Sequence, residues 1–281
     1  MRTEEIIRTK SAPVVSALAQ IPEVKAVLCF GSYAMGTFDR DSDVDLYVFC
    51  HPEIVSSPVR LDALQKIEDI QDLQMDHVES GWENQWCPQG GRCRQGGLPF
   101  DISYNTVDWM RTVVGAVKDC GATSIPECRF RPYTMLGLLE NSVILYDPGS
   151  IFQAIKSSLY PYPTKLQQTL LSENLLIARG SLADLQDYVR RSIGNSAFHF
   201  QFSRILDAVC TIVFAINRRY DPATKRTEEA FRDLEIVPNH FLERYTRILE
   251  TPLTIDGREN IVSALGTLLR EIEDLSKRNA S

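Results

Sequence analysis

Two nearly continuous apolar segments stand out in the first half of the chain. Val24–Phe30 and Val44–Cys50 are short, rich in β-branched and aromatic residues, and typical of buried strands. Further strands are predicted at Leu73–Glu79, Leu98–Tyr104 and Val143–Tyr146. Between them, apolar residues recur with helical spacing, which predicts helices at about 3–20, 59–70, 106–118 and 133–140. The segment Ser80–Gly97 has no period and is predicted to be a loop or a hairpin crossing.

In the second half of the chain, apolar residues recur with helical spacing almost throughout. Helices are predicted at about 164–192, 196–219, 225–233, 239–249 and 257–278. A proline-marked junction near 147–163 separates the two halves. The predicted fold class is therefore α+β, with a small mixed β-sheet flanked by helices in a domain spanning 1–148, followed by an all-α helical bundle domain at 160–281.

The charge of the chain narrows the classes of partner. Its 281 residues include 37 acidic and 30 basic ones, which gives a net charge of −7. A protein that grips nucleic acid through many phosphates usually has a basic surface, so this balance argues against nucleic acid and favours a small substrate, including a cationic one. Residues 1–160 contain 21 acids and 14 bases, whereas residues 161–281 contain 16 of each. A cluster of metal-binding carboxylates is therefore expected in the first half.

The cysteines and apolar segments predict the compartment. Seven cysteines, an odd number without regular spacing, indicate reduced thiols. The first residues lack the apolar stretch of a signal peptide, and the longest apolar run, Ala208–Ile216, is about half a membrane span. We therefore expect a cytoplasmic protein with no membrane partner. Cys87 and Cys93 form a close pair without the second pair or spaced histidines of a zinc site, so we interpret them as two thiols in a Gly-rich loop.

A pair of carboxylates is the candidate chemistry. Side chains alternate along a strand, so Asp43 and Asp45 project side by side while the intervening apolar residue points into the core. Two adjacent carboxylates repel each other, and a divalent cation relieves the repulsion; oxygen-only ligands suit Mg²⁺. Upstream, Gly31 and Ser32 follow a strand. A strand that turns into a helix at Gly-Ser presents backbone N–H groups and a hydroxyl to a phosphate.

This pattern resembles the signature of the nucleotidyltransferase superfamily typified by DNA polymerase β. The shared pattern is an apolar strand followed by Gly31-Ser32, then ten intervening residues, then Asp43-Val-Asp45-Leu. That superfamily includes kanamycin, streptomycin and lincosamide nucleotidyltransferases and minimal nucleotidyltransferases. The resemblance implies that 1–148 is the catalytic domain and that the helical bundle closes the cleft over the substrates. It also implies a third carboxylate on an adjacent strand. Asp101, with apolar neighbours on both sides, is preferred over Asp76, which lies on a more polar segment.

The resemblance also implies a reaction. A nucleoside monophosphate would pass from an NTP to an acceptor hydroxyl with release of pyrophosphate. Asp43, Asp45 and Asp101 would hold two Mg²⁺ ions, with Asp101 serving as a metal ligand, as the general base or as both, while Gly31 and Ser32 bind the β and γ phosphates. ATP is the expected NTP, and the expected acceptor is a small molecule, with an aminoglycoside-like antibiotic among the candidates.

A weaker resemblance concerns a helix end in the second half. The segment Phe214–Arg226 looks like a helix end of bacterial proteins that join this domain to a helical bundle, where Arg219 and Lys225 would supply positive charge to the triphosphate. A solvated basic helix end has the same composition and stays an alternative. Two other functions stay open: a non-catalytic nucleotide-binding or antitoxin-like module, and nucleotidylation of a protein or an RNA. The sequence carries no signal for the oligomeric state.

Overall fold

The chain folds into two compact units. The computed structural model describes residues 3–76, 87–128, 130–222 and 227–279. One unit comprises Met1–Val117 with Ser124–Pro161, and the other comprises Lys118–Thr123 with Tyr162–Ser281.

A six-stranded mixed sheet forms the centre of the first unit. Its strands are β1 Val24–Phe30, β2 Val44–Cys50, β3 Ile70–Met75, β4 Gln89–Gln95, β5 Leu98–Thr106 and β6 Val143–Tyr146. Their order across the sheet is β3-β4-β5-β2-β1-β6. β2 and β5 run parallel in the two central positions, and the other neighbouring pairs are antiparallel.

Helices precede, connect and follow these strands. They are α1 Thr3–Ala19, α2 Gly31–Met35, α3 Ser57–Gln65, α4 Val107–Cys120, α5 Pro132–Asn141 and α6 Ile151–Ser157. Leu18 of α1 and Leu64 of α3 are buried in one apolar core with Val44, Leu46 and Ile102 of the central strands. Because alternate residues of β2 and β5 enter this core, a slip in register would expose them, and the pairing of the two strands is strongly specified.

The α+β class predicted from the sequence is confirmed. β1, β2 and β6 have the predicted bounds. Thr106 caps α4, because its Oγ1 accepts a hydrogen bond of 3.0 Å from the backbone N–H of Trp109. The helix predicted at 59–70 ends at Gln65, and the next strand begins at Ile70 rather than at Leu73.

Two further elements differ from the prediction. Ser80–Gly97 is predicted to be a loop or a hairpin crossing, and the loop alternative is wrong for Gln89–Gln95, which is a strand that forms an antiparallel hairpin with β5 and also pairs with β3. Residues 80–86 lie outside the described residues. The Gln, Gly and Arg residues of this strand have low strand propensity, so tertiary pairing decides its conformation. Helix α6 was not predicted. The Asp147 carboxylate begins it by accepting hydrogen bonds of 2.8, 2.8 and 2.9 Å from the N–H groups of Ile151, Phe152 and Gln153.

The second unit is helical in the part that the structure describes. Its helices are α7 Thr164–Arg190, α8 Asn195–Ile216, α9 Thr227–Phe231, α10 Phe241–Glu250 and α11 Ile255–Asn279. α7 and α8 run antiparallel, and a side-chain hydrogen bond of 3.0 Å from Gln167 to the carbonyl of Ala215 joins them. By length and composition α8 could cross a membrane, but 61% of its apolar window is buried inside the protein, as in the core helix of a bundle. All seven cysteines lie in described residues, and none forms a disulfide.

Candidate active site

Three carboxylates converge on the two central strands of the sheet. Asp43, Asp45 and Asp101 each offer one oxygen atom, and these atoms all lie within 4.8 Å of one another. Asp45 and Asp101 are direct partners in the parallel register of β2 and β5, and Asp43 immediately precedes β2. Parallel pairing therefore joins acids that are far apart in the sequence.

The alternation along both strands directs these acids away from the core. Val44 and Leu46 are buried on the core side of β2, and Phe100 and Ile102 are buried on the core side of β5. Residues between such buried neighbours project from the opposite face. Burying the apolar residues therefore also fixes the direction of the carboxylates.

A hydrogen-bonded turn supports the chain just before Asp43. Oδ1 of Asp39 accepts hydrogen bonds of 3.0 Å from the backbone N–H of Asp41 and from the hydroxyl of Ser42. The Ser42 hydroxyl in turn accepts a 2.9 Å hydrogen bond from the N–H of Asp39. An Asx turn of this kind restricts the local backbone, and here it leads directly into the first carboxylate of the triad.

Gly31 lies against the triad. The pairing of β1 with β2 places Phe30 opposite Asp45, and α2 begins at the next residue. Gly31 has φ +67°, and a Cβ atom there would lie 2.0 Å from Oδ2 of Asp45. Only glycine combines this left-handed conformation with so close an approach. Ser32 follows in the first turn of α2, and its carbonyl accepts a hydrogen bond of 2.9 Å from the N–H of Thr37.

The charges of the site influence one another. Partial burial, and then the nearby Asp43, raise the pKa of Asp101 above its ordinary value, while the guanidinium of Arg92 opposes the rise. Burial and the nearby Asp45 raise the pKa of the Cys29 thiol well above its usual range, so the thiol is neutral. The triad is thus a partly buried set of mutually repelling oxygen ligands.

Such a donor set fits a hard divalent cation. Mg²⁺ prefers oxygen ligands and commonly uses one or two carboxylates together with substrate phosphates. A cation held between the three acids would relieve the repulsion from Asp43 that, after burial, raises the pKa of Asp101.

Some of the site residues predicted from the sequence lie together at the triad, and others lie elsewhere. Asp43, Asp45, Asp101 and Gly31 lie together, with Ser32 next in the chain. Asp76, the rival third acid, forms an ion pair with Arg60 instead. Arg219 lies in the second unit, just after α8, where its N–H donates a 3.1 Å hydrogen bond to the carbonyl of Phe214. Lys225 lies outside the described residues.

Sequence reasoning missed Arg92. It lies on β4 directly opposite Asp101, and side chains of directly opposed residues project from the same face. No local signal could have revealed it, because the neighbourhood exists only once β4 pairs with β5.

Two segments of the chain match known protein families. Residues 14–85 match the family described as "Polymerase beta, Nucleotidyltransferase", and residues 131–226 match "Domain of unknown function (DUF4037)". No curated protein matches the chain. A nucleotidyltransferase-like protein from Exiguobacterium sibiricum 255-15, whose crystal structure is solved, is 11% identical with a TM-score of 0.41, over 97% of this chain and 75% of that chain.

The family match contains Gly31, Ser32, Asp43 and Asp45, whereas Asp101 lies beyond it and is joined to them by the sheet. The match over residues 14–85 supports the nucleotidyltransferase superfamily and a polymerase β-like fold for the α+β part of the chain.

Proposed function

We propose that the protein is a metal-dependent nucleotidyltransferase that moves a nucleoside monophosphate from an NTP, ATP in the first instance, to a hydroxyl group of a small-molecule acceptor. The observation that carries the proposal is the convergence of three carboxylates within 4.8 Å. The closeness of Gly31 to Asp45 supports it, because it brings the start of α2 directly beside the acids.

Asp43, Asp45 and Asp101 would hold Mg²⁺, two ions being expected. When bound, Mg²⁺ would neutralise charge on the leaving pyrophosphate and make the acceptor hydroxyl more acidic. The acceptor oxygen forms a bond to the α phosphorus, the bond between the α phosphorus and the bridging oxygen breaks, and pyrophosphate leaves with that electron pair. The hydroxyl proton would pass to Asp101, which would act as the general base beside the other two acids.

The remaining groups would bind the triphosphate and exclude water. The backbone at Gly31 and the hydroxyl of Ser32 would contact the β and γ phosphates. Arg219 and Lys225 would add positive charge from the helical half, and that half would select the acceptor. A module that only bound nucleotide would not need Asp101 beside the other two acids, so the triad favours catalysis over the non-catalytic alternative.

The direct test is a pyrophosphate-release screen with Mg²⁺, the four common NTPs and a panel of hydroxyl acceptors. We expect Mg²⁺-dependent release that Asp43→Asn abolishes while the circular dichroism spectrum is unchanged. Asp41→Asn is the matched control, because Asp41 lies two residues away and its side chain is 81% exposed. Unchanged turnover in Asp43→Asn, or equal losses in both variants, would contradict the proposal.

A further inference from the structure

A fully buried arginine lies in the first unit outside the carboxylate triad. Arg60 of α3 is 0% exposed, and its Nη2 donates hydrogen bonds to the carboxylate of Asp76 and, at 2.8 Å, to Oε1 of Gln89. Its guanidinium carbon lies 4.4 Å from the centre of the Tyr104 ring. A buried charge is costly unless it is paired, so these contacts hold the side chain in one place.

The partners of Arg60 come from three neighbouring strands. Asp76 follows the last residue of β3, Gln89 is the first residue of β4, and Tyr104 lies in β5. Asp76 is also tied to β4, because its N–H donates to the carbonyl of Gly90 at 2.9 Å and its Oδ1 accepts from the N–H of Gly90 at 3.3 Å. One guanidinium therefore joins the three strands at the same end.

The two ends of strand β4 are held to β5 in different ways. At one end Gln95 lies opposite Leu98 across the two-residue Gly96-Gly97 turn, and both glycines have positive φ, so this turn sets the register. At the other end the strand begins Gln-Gly-Gly, where glycines offer no side chain to pack, and the Arg60 contacts lie at that end. Gly91 adds a steric restriction, since a Cβ there would lie 2.5 Å from the sulfur of Met75.

We propose that Arg60 is a positioning residue that holds the end of β4 remote from the Gly96-Gly97 turn against β5 and thereby keeps Arg92 beside Asp101. The observed pairing supports this role, because Gln89 lies opposite Tyr104 and, three residues further along β4, Arg92 lies opposite Asp101. Arg60 acts from the core side of the sheet and needs no contact with substrate. Its effect on the reaction rests on the proposed function, whereas its effect on β4 does not.

The test is amide hydrogen exchange on the full-length protein, resolved along the chain. Arg60→Lys keeps the charge but lacks the planar guanidinium that lies over the Tyr104 ring while its Nη2 contacts Asp76 and Gln89. Gln89→Met is a milder variant that leaves the Arg60–Asp76 pair intact. Arg94→Gln is the matched control, because Arg94 lies on the same strand in a half-exposed ion pair with Asp72.

We expect exchange in 89–95 to accelerate about tenfold or more in Arg60→Lys, and by a smaller factor in Gln89→Met, with 24–30 and 44–50 unchanged. Unchanged exchange in 89–95, or equal acceleration in all three segments, would overturn the proposal. The control should leave all three segments unchanged, and acceleration of 89–95 equal to that in Arg60→Lys would also overturn it.

A kinetic readout separates positioning from a general loss of stability. In Arg60→Lys we expect kcat for pyrophosphate release to fall about tenfold while KM for the NTP stays within about twofold, because the Gly31–Ser32 side is untouched. A rise in KM with unchanged kcat would contradict the proposal that Arg60 acts by keeping Arg92 beside Asp101. If the wild-type protein releases no pyrophosphate with any acceptor, the proposed function fails, while the exchange experiment still decides the role of Arg60.

Discussion

A side chain at position 31 would collide with Asp45, because a Cβ atom built on Gly31 lies 2.0 Å from Oδ2 of that carboxylate. Gly31 also has φ +67°, which non-glycine residues adopt at a cost. Asp45 lies in β2, and Gly31 directly follows β1, whose last residue Phe30 lies opposite Asp45. The Gly-Ser bend and the carboxylate pair are therefore one structural unit and not merely neighbours in a sequence motif.

We expect Gly31→Ala to disrupt this unit. The left-handed backbone and the close contact should lower the free energy of unfolding by about 1–3 kcal/mol, and the Asp45 carboxylate can relieve the contact only by rotating away from its place in the triad. Chemical denaturation measures the loss. In Gly180→Ala, where a Cβ in α7 would meet nothing within 4 Å, stability should rise by about 0.5–1 kcal/mol. Equal stability of Gly31→Ala and the wild type would refute the steric argument.

The stability of the metal-free protein should depend on pH through Asp101. Its folded-state pKa is raised by burial and by Asp43, so its contribution to stability is full below its unfolded pKa of about 4 and is lost as pH rises through the folded pKa. Asp101→Asn removes the charge. With a chelator present, we expect the variant and the wild type to be similarly stable near pH 4 and the variant to become the more stable one towards pH 7. Urea unfolding at each pH measures the difference; a variant that loses stability relative to wild type as pH rises would show the opposite sign.

Asn217 at the end of α8 should stabilise the helical unit through its side-chain hydrogen bonds. Its amide donates to the carbonyls of Val213 and Ile236 at 2.8 and 2.9 Å, and its Oδ1 accepts from the N–H of Ile236 at 2.8 Å. We expect Asn217→Ala to lower the free energy of unfolding by about 2–3 kcal/mol. Asn217→Asp keeps the acceptor but loses both donors, so it should also destabilise. A change below about 0.5 kcal/mol in thermal or chemical unfolding would contradict this role.

Arg219 and Lys225 should affect nucleotide binding more than turnover. If they contact the triphosphate, Arg219→Ala and Lys225→Ala should each raise KM for the NTP about tenfold with kcat within about twofold, because the charge contact is present in both the ground and transition states. Arg190→Ala is the control, since Arg190 also lies at a basic helix end of the second unit and is 78% exposed. Equal KM values in all three variants would favour the alternative of a solvated helix end.

The sequence predicted those parts of the site whose determinants are local. Asp43 and Asp45 could be placed on one face because strand alternation depends only on neighbouring residues, and Gly31 and Ser32 follow an apolar run that is unmistakably a strand. Asp101 required knowledge of which strand pairs with β2. The apolar neighbours of Asp101 favoured it over Asp76 as the third acid. The structure explains why they did, because the parallel register of β2 and β5 places Asp101 directly opposite Asp45.

The residues that the sequence did not reveal depend on long-range contacts. β4 has a composition typical of a loop, and it becomes a strand because β3 and β5 pair with it on both sides. Arg92 reaches Asp101 only through that pairing, and Arg60 becomes a buried anchor only when three strands meet α3. Neither residue is part of a local motif, so periodicity and spacing could not have identified them.

The most direct test of the central claim is a calorimetric titration of the protein with Mn²⁺ as a probe for Mg²⁺. Asp101 is the decisive residue, because it lies outside the segment that matches the nucleotidyltransferase family and only the sheet brings it to Asp43 and Asp45. We expect the wild type and Asp41→Asn to bind Mn²⁺ with equal affinity and Asp101→Asn to bind at least about tenfold more weakly. Equal affinity in Asp101→Asn, or no binding to the wild type with or without NTP, would contradict the account.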